Sequence, residues 1–65
     1  MNNHIRQLRE ARGLTQKDLS LRVGVSRQAI NAIETGKYDP SIRLAFALAR
    51  FFGKTVEELF QEEAE

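Results

Sequence analysis

The chain of 65 residues has no cysteine and no tryptophan, and only one proline, one histidine and one methionine. Without cysteine there is no disulfide framework and no thiolate metal site to support a small fold. No glycine-rich phosphate loop and no metal-ligand spacing occurs, and the lone His4 stands near the start. An enzyme, a resident metal, a cofactor and a small-molecule ligand are therefore not expected. No apolar run approaches the ~20 residues of a membrane-spanning helix, and no signal-peptide core is visible. A cytoplasmic location, on the nucleoid in a prokaryote, is the expectation. A chain this short lies near the lower limit for independent folding, so close helix packing, helped by a partner subunit, must stabilise it.

The net charge of +1 conceals an asymmetry. Residues 1–37 hold seven lysines and arginines against three acids, and residues 38–65 hold three against six. A basic first half favours a polyanionic partner, although a solvated surface with an acidic tail (61–65) would look the same.

Strand-type alternation is missing, whereas helix start and stop signals recur. Helix one is expected from about Asn3 to Arg12, with Ile5 and Leu8 inward and Gly13 as its left-handed stop. Thr15 caps helix two, Asp18 takes the acidic place of a capping box, and Leu14 can staple onto Leu19. That helix runs to about Val23 and ends at Gly24. Ser26 caps helix three, which buries Ile30 and Ile33 and ends at Gly36. Ser41 caps helix four, where Ala45, Leu48, Ala49 and Phe52 form an i, i+3, i+4, i+7 stripe ending at Gly53. Thr55 and Glu58 form a capping box for helix five. The fold class predicted is all-α, five helices in one domain over 1–65.

Between Val23 and Ser26 stand only Gly24 and Val25, so helices two and three must meet at a steep angle. Ser20 is small where helix three approaches. The result is a helix-turn-helix over about 16–35. On helix three, at 100° per residue, Arg27, Gln28, Asn31 and the small Ala32 lie opposite the buried side.

Residues 16–35, QKDLSLRVGVSRQAINAIET, resemble the helix-turn-helix of the lambda-repressor-like (Xre, Cro/repressor-type) DNA-binding domains. The flanking LREARGLTQ and IETGKYDPS are similar too, and the resemblance covers about residues 3–60. Ser20 departs from it, since many members have alanine there. The resemblance implies double-stranded DNA as partner, with helix three in the major groove. Arg27, Gln28 and Asn31 then have the donors to read base edges, and Ala32 suits close approach or a thymine methyl. Thr15 and Gln16 open a helix whose free N–H groups suit a phosphate. By resemblance Gln16 grips the DNA backbone and braces Gln28. Lys37, Tyr38, Ser41 and Arg43 are further phosphate contacts. Arg9 and Glu34 are implied to form a structural ion pair joining helix one to the end of helix three.

Helix four carries more apolar residues than one stripe needs: Ile42, Leu44, Phe46 and Phe51 extend around it, and helix five adds Val56 and Phe60. A contiguous patch of this kind marks an interface. A twofold homodimer through Phe46, Phe51, Val56 and Phe60 is expected; the alternative is that these side chains fill one core. The expected function is a sequence-specific transcriptional regulator, a repressor on an inverted-repeat operator. A rival reading is a protein-interaction module, such as an antitoxin of a toxin pair that also binds DNA, although no toxin-neutralising extension is visible.

Overall fold

The computed structural model describes residues 1–61, so the acidic tail, apart from Gln61, lies outside the described residues. The elements are β1 (Asn2–Asn3), α1 (Ile5–Ala11), α2 (Gln16–Val23), α3 (Arg27–Glu34), α4 (Ile42–Phe52), α5 (Val56–Leu59) and β2 (Phe60–Gln61). α2 packs on both α3 and α4, and α4 packs on α5.

Local chemistry sets the helix starts. Thr15 Oγ1 accepts from the Asp18 N–H at 3.0 Å, while the Thr15 N–H donates to Asp18 Oδ2 at 2.9 Å. Thr55 and Glu58 repeat this box at 3.1 and 2.9 Å. Ser26 accepts from the Ala29 N–H and Ser41 from the Leu44 N–H, at 3.1 and 3.2 Å. Each serine or threonine thus satisfies a donor that a helix start otherwise leaves unpaired. At the α2–α3 corner Gly24 sits at φ 76°, and the N–H groups of Gly24 and Val25 both reach the Ser20 carbonyl. An added Cβ would meet nothing within 4 Å, so glycine is needed for its backbone angle and not for space.

The core joins Ile5, Leu19, Ile30, Ile33, Leu48 and Leu59, all essentially inaccessible, with Leu44, Ala45, Ala49, Phe52 and Phe60 around them. Ile30 and Ile33 anchor α3. Burial of each contributes about 1.5–3 kcal/mol relative to exposure. The hydroxyl of buried Ser20 donates to the Lys17 carbonyl at 2.7 Å, so the departure from alanine leaves no unpaired group.

Two features differ from the sequence expectation. Helix one begins at Ile5 and not at Asn3, because Asn2–Asn3 is extended and pairs antiparallel with Phe60–Gln61. The Asn3 side chain then bridges two helices: Oδ1 accepts from the Ile5 N–H at 3.1 Å and Nδ2 donates to the Ile33 carbonyl at 2.8 Å. Second, Phe60 is only 7% exposed. The backbone turns extended at this residue (φ −120°, ψ 139°), so its ring enters the core and offers little to a partner. This corrects its assignment to an interface. Leu44, counted above with the surplus, is buried as well.

The capping boxes generate an acid dependence. The Thr15 backbone N–H and hydroxyl hold the Asp18 carboxyl below its usual 3.8, and Thr55 holds Glu58 below its usual 4.5 in the same way. Both groups favour the folded state fully above those unfolded values, and the contribution is lost as pH falls through the lower folded ones. Urea unfolding between pH 6 and pH 2 should therefore show an acid limb that flattens in a D18N/E58Q variant. An unchanged limb would mean that other carboxylates set it.

Candidate nucleic-acid interface

The side of α3 opposite Ile30 and Ile33 is open. Arg27, Gln28 and Asn31 are exposed, and Ala32 is half-buried. Arg27 lines a shallow depression with Thr15, Gln16 and Lys17 at the start of α2. Asn31 lines the adjoining cleft with Gln16, Glu34 and Thr35. Gln16 borders both, so α2's first turn and the outer face of α3 form one continuous surface. Gln28 is exposed on the same helix but lines neither hollow. Lys37, Tyr38, Ser41 and Arg43 are all exposed, on the loop after α3 and the first turn of α4, and stand apart from these hollows.

A buried ion pair fixes this arrangement from below. Arg9 Nε donates to Glu34 Oε2 at 2.7 Å, and Arg9 Nη2 donates to Glu34 Oε1 at 3.1 Å. Arg9 Nη1 donates to the Leu14 carbonyl at 2.7 Å. The side chains are 10% and 2% exposed. The hydrogen bond to Glu34 raises the Arg9 pKa further above its already high value, against the opposing effect of burial. Gln16 Nε2 donates to Glu34 Oε1 at 3.1 Å. Gln16 is thus braced by Glu34, in place of the brace with Gln28 that the resemblance implied. Its carbonyl and second amide proton point to no partner within the described residues.

The capping box also redistributes the donors at α2. The Thr15 N–H is taken by Asp18 and the Asp18 N–H by Thr15 Oγ1. Among the described residues the Gln16 and Lys17 N–H groups have no internal acceptor, so they, and not the Thr15 amide, form the free pair of that turn. Lys17 escaped the sequence reading. A signal was present: a lysine in the first turn opposes the helix dipole, which favours acids there, unless an anion is nearby. Among the described residues no helix is long and apolar enough to cross a membrane, and no group of three His, Asp or Glu side chains could hold a metal ion.

This is a helix-turn-helix with its second helix exposed. A family model described as helix-turn-helix matches residues 5–59. The chain is 53% identical over 60 residues to an uncharacterised HTH-type transcriptional regulator of Methanocaldococcus jannaschii, across 92% of this chain and 91% of that protein. An uncharacterised HTH-type transcriptional regulator of Bacillus subtilis is 40% identical over 65 residues, across 100% and 98% of the two chains. The crystal structure of the restriction-modification controller protein C.AhdI of Aeromonas hydrophila is 32% identical with a TM-score of 0.77, across 86% of this chain and 85% of that one. The chain belongs to the helix-turn-helix family, in its lambda-repressor-like (Xre) branch, whose members are DNA-binding transcriptional regulators and not enzymes.

Removing Arg9 alone would strand a buried carboxylate. R9A should therefore cost about 3–5 kcal/mol in urea unfolding, as broken buried pairs do. The double variant R9M/E34L should recover most of that loss. A loss in the double variant equal to the sum of the losses in R9M and E34L alone would show that the pair has no coupling.

Proposed function

We propose that this protein is a sequence-specific DNA-binding transcriptional regulator, a repressor that binds an inverted-repeat operator as a homodimer. The observation that carries the reading is the open face of α3, with Arg27 beside Gln16 and Lys17, Asn31 beside Gln16, and Gln28 exposed on the same helix. Arg27 reads guanine O6 and N7, and Gln28 and Asn31 read adenine N6 and N7, with Ala32 against a thymine methyl. With its side chains an α-helix is about 10–12 Å across, which a major groove of about 12 Å width admits. Gln16 and Lys17 meet the phosphates of one rim through their free N–H groups, at the helix start that Thr15 caps. Lys37, Tyr38, Ser41 and Arg43 meet those at the other end of the helix. Binding occludes the polymerase.

The dimer uses the surface around Phe46. Phe46 is 50% and Ile42 69% exposed, and a hollow lined by Phe46, Ala49, Gly53 and Val56, and also by the charged Arg50, Lys54, Glu57 and Glu58, receives the partner's copy. Phe51 contributes less. It is half-buried, its ring stands edge-on to Phe52 at 5.0 Å, and the Arg12 guanidinium covers it at 5.4 Å. A twofold pair of this kind sets two recognition helices about 34 Å apart on one side of the duplex.

Selection of bound sites from random DNA should yield a palindrome. R27A should relax one position of each half-site and cost about 1–3 kcal/mol there. K37A should weaken all sequences alike. An unchanged selected site for R27A would refute base reading by Arg27. Sedimentation should give a dimer that F46E converts to a monomer. A wild-type monomer at high micromolar concentration would contradict the dimer.

A further inference from the structure

Arg6 and Arg9 of α1 and Arg12 at its C-cap point in different directions, since steps of three residues turn the side chain by about 60° around a helix. Arg9 is committed to Glu34 and Leu14. Arg12 is committed to α4: Nη1 and Nη2 donate to the carbonyls of Phe51 and Phe52 at 2.9 and 3.1 Å, and the guanidinium lies over both rings. Arg6 has no such commitment. Its side chain is 69% exposed and meets Glu10, itself 55% exposed, at 3.5 Å. That distance is the outer limit of a hydrogen bond, and solvated pairs on a helix surface are weak.

The position of Arg6 gives this charge a use. It lines the same cleft as Gln16, Asn31 and Thr35, so it borders the residue placed to read bases and the residue placed to grip the backbone. Glu10 lines this cleft and also the depression that holds Arg27. An acid there repels phosphate unless a cation is beside it. We propose that Arg6 is a further phosphate-contacting residue: it offsets Glu10 in the free protein and exchanges Glu10 for a phosphate oxygen next to the bases met by Asn31. The DNA surface then extends from the helix-turn-helix onto α1. This inference rests on the DNA-binding reading above.

The test is the salt dependence of binding to a defined duplex, measured with and without the selected site. Each phosphate that a side chain no longer neutralises lowers the magnitude of the slope of log K against log salt by about 0.9. R6Q should reduce the slope by about that much and weaken both duplexes by a similar factor, on the order of 3- to 10-fold near 0.15 M salt. R6K should keep the slope, and E10Q should tighten binding without reducing it. A thermal midpoint near wild type for R6Q would exclude a folding defect. If wild type binds with a steep slope and R6Q leaves it unchanged, the assignment of Arg6 is overturned while the DNA reading stands. If wild type binds neither duplex with salt dependence, the DNA reading fails and this inference with it.

Discussion

Arg9 and Glu34 are the point on which the rest of the molecule is hung. Their charges sit out of water, where each needs a partner, and the bidentate contact with the added bonds from Arg9 to Leu14 and from Gln16 to Glu34 supplies one for nearly every polar atom. No buried side-chain nitrogen or oxygen among the described residues lacks a hydrogen bond. The cluster ties together α1, the loop before α2, the first turn of α2 and the end of α3. Apolar side chains of similar volume can match such a pair in stability, but they lack direction. Direction matters here, because Gln16 and Asn31 stand immediately above the pair.

The remaining ties follow the same pattern. α3 gives Ile30 and Ile33 to the core and keeps its opposite face free. Asn3 ties the start of α1 to the end of α3 with one side chain, and Arg12 satisfies two carbonyls at the end of α4. A chain of this length buries too little apolar area to rely on packing alone. Polar side chains that each join two elements supply orientation where hydrophobic burial supplies only cohesion.

Most of the fold was legible because the signals are local. Thr15, Ser26, Ser41 and Thr55 mark helix starts through bonds within three residues, and each is present. The α4 stripe was legible through periodicity. What escaped depends on contacts distant in sequence. A two-residue strand has no periodicity, so β1 and β2 left no mark, and nothing local decided between core and interface for Phe60. Nothing near Arg12 announces the carbonyls some forty positions away. The polar face of α3 was legible from helical phase and its capping serine. The partner of Gln16 was not, because it depends on where the end of α3 comes to rest. The acidic residues from 62 onward lie outside the described residues.

Amide resonances followed as a short operator duplex is added test the central claim most directly, because they report the contacted surface residue by residue. The account predicts that changes concentrate at Gln16, Lys17, Arg27, Gln28, Asn31 and Lys37, and that the amides around Arg12 and Phe46 stay unmoved. Changes centred on the Phe46 face with α3 silent would contradict it.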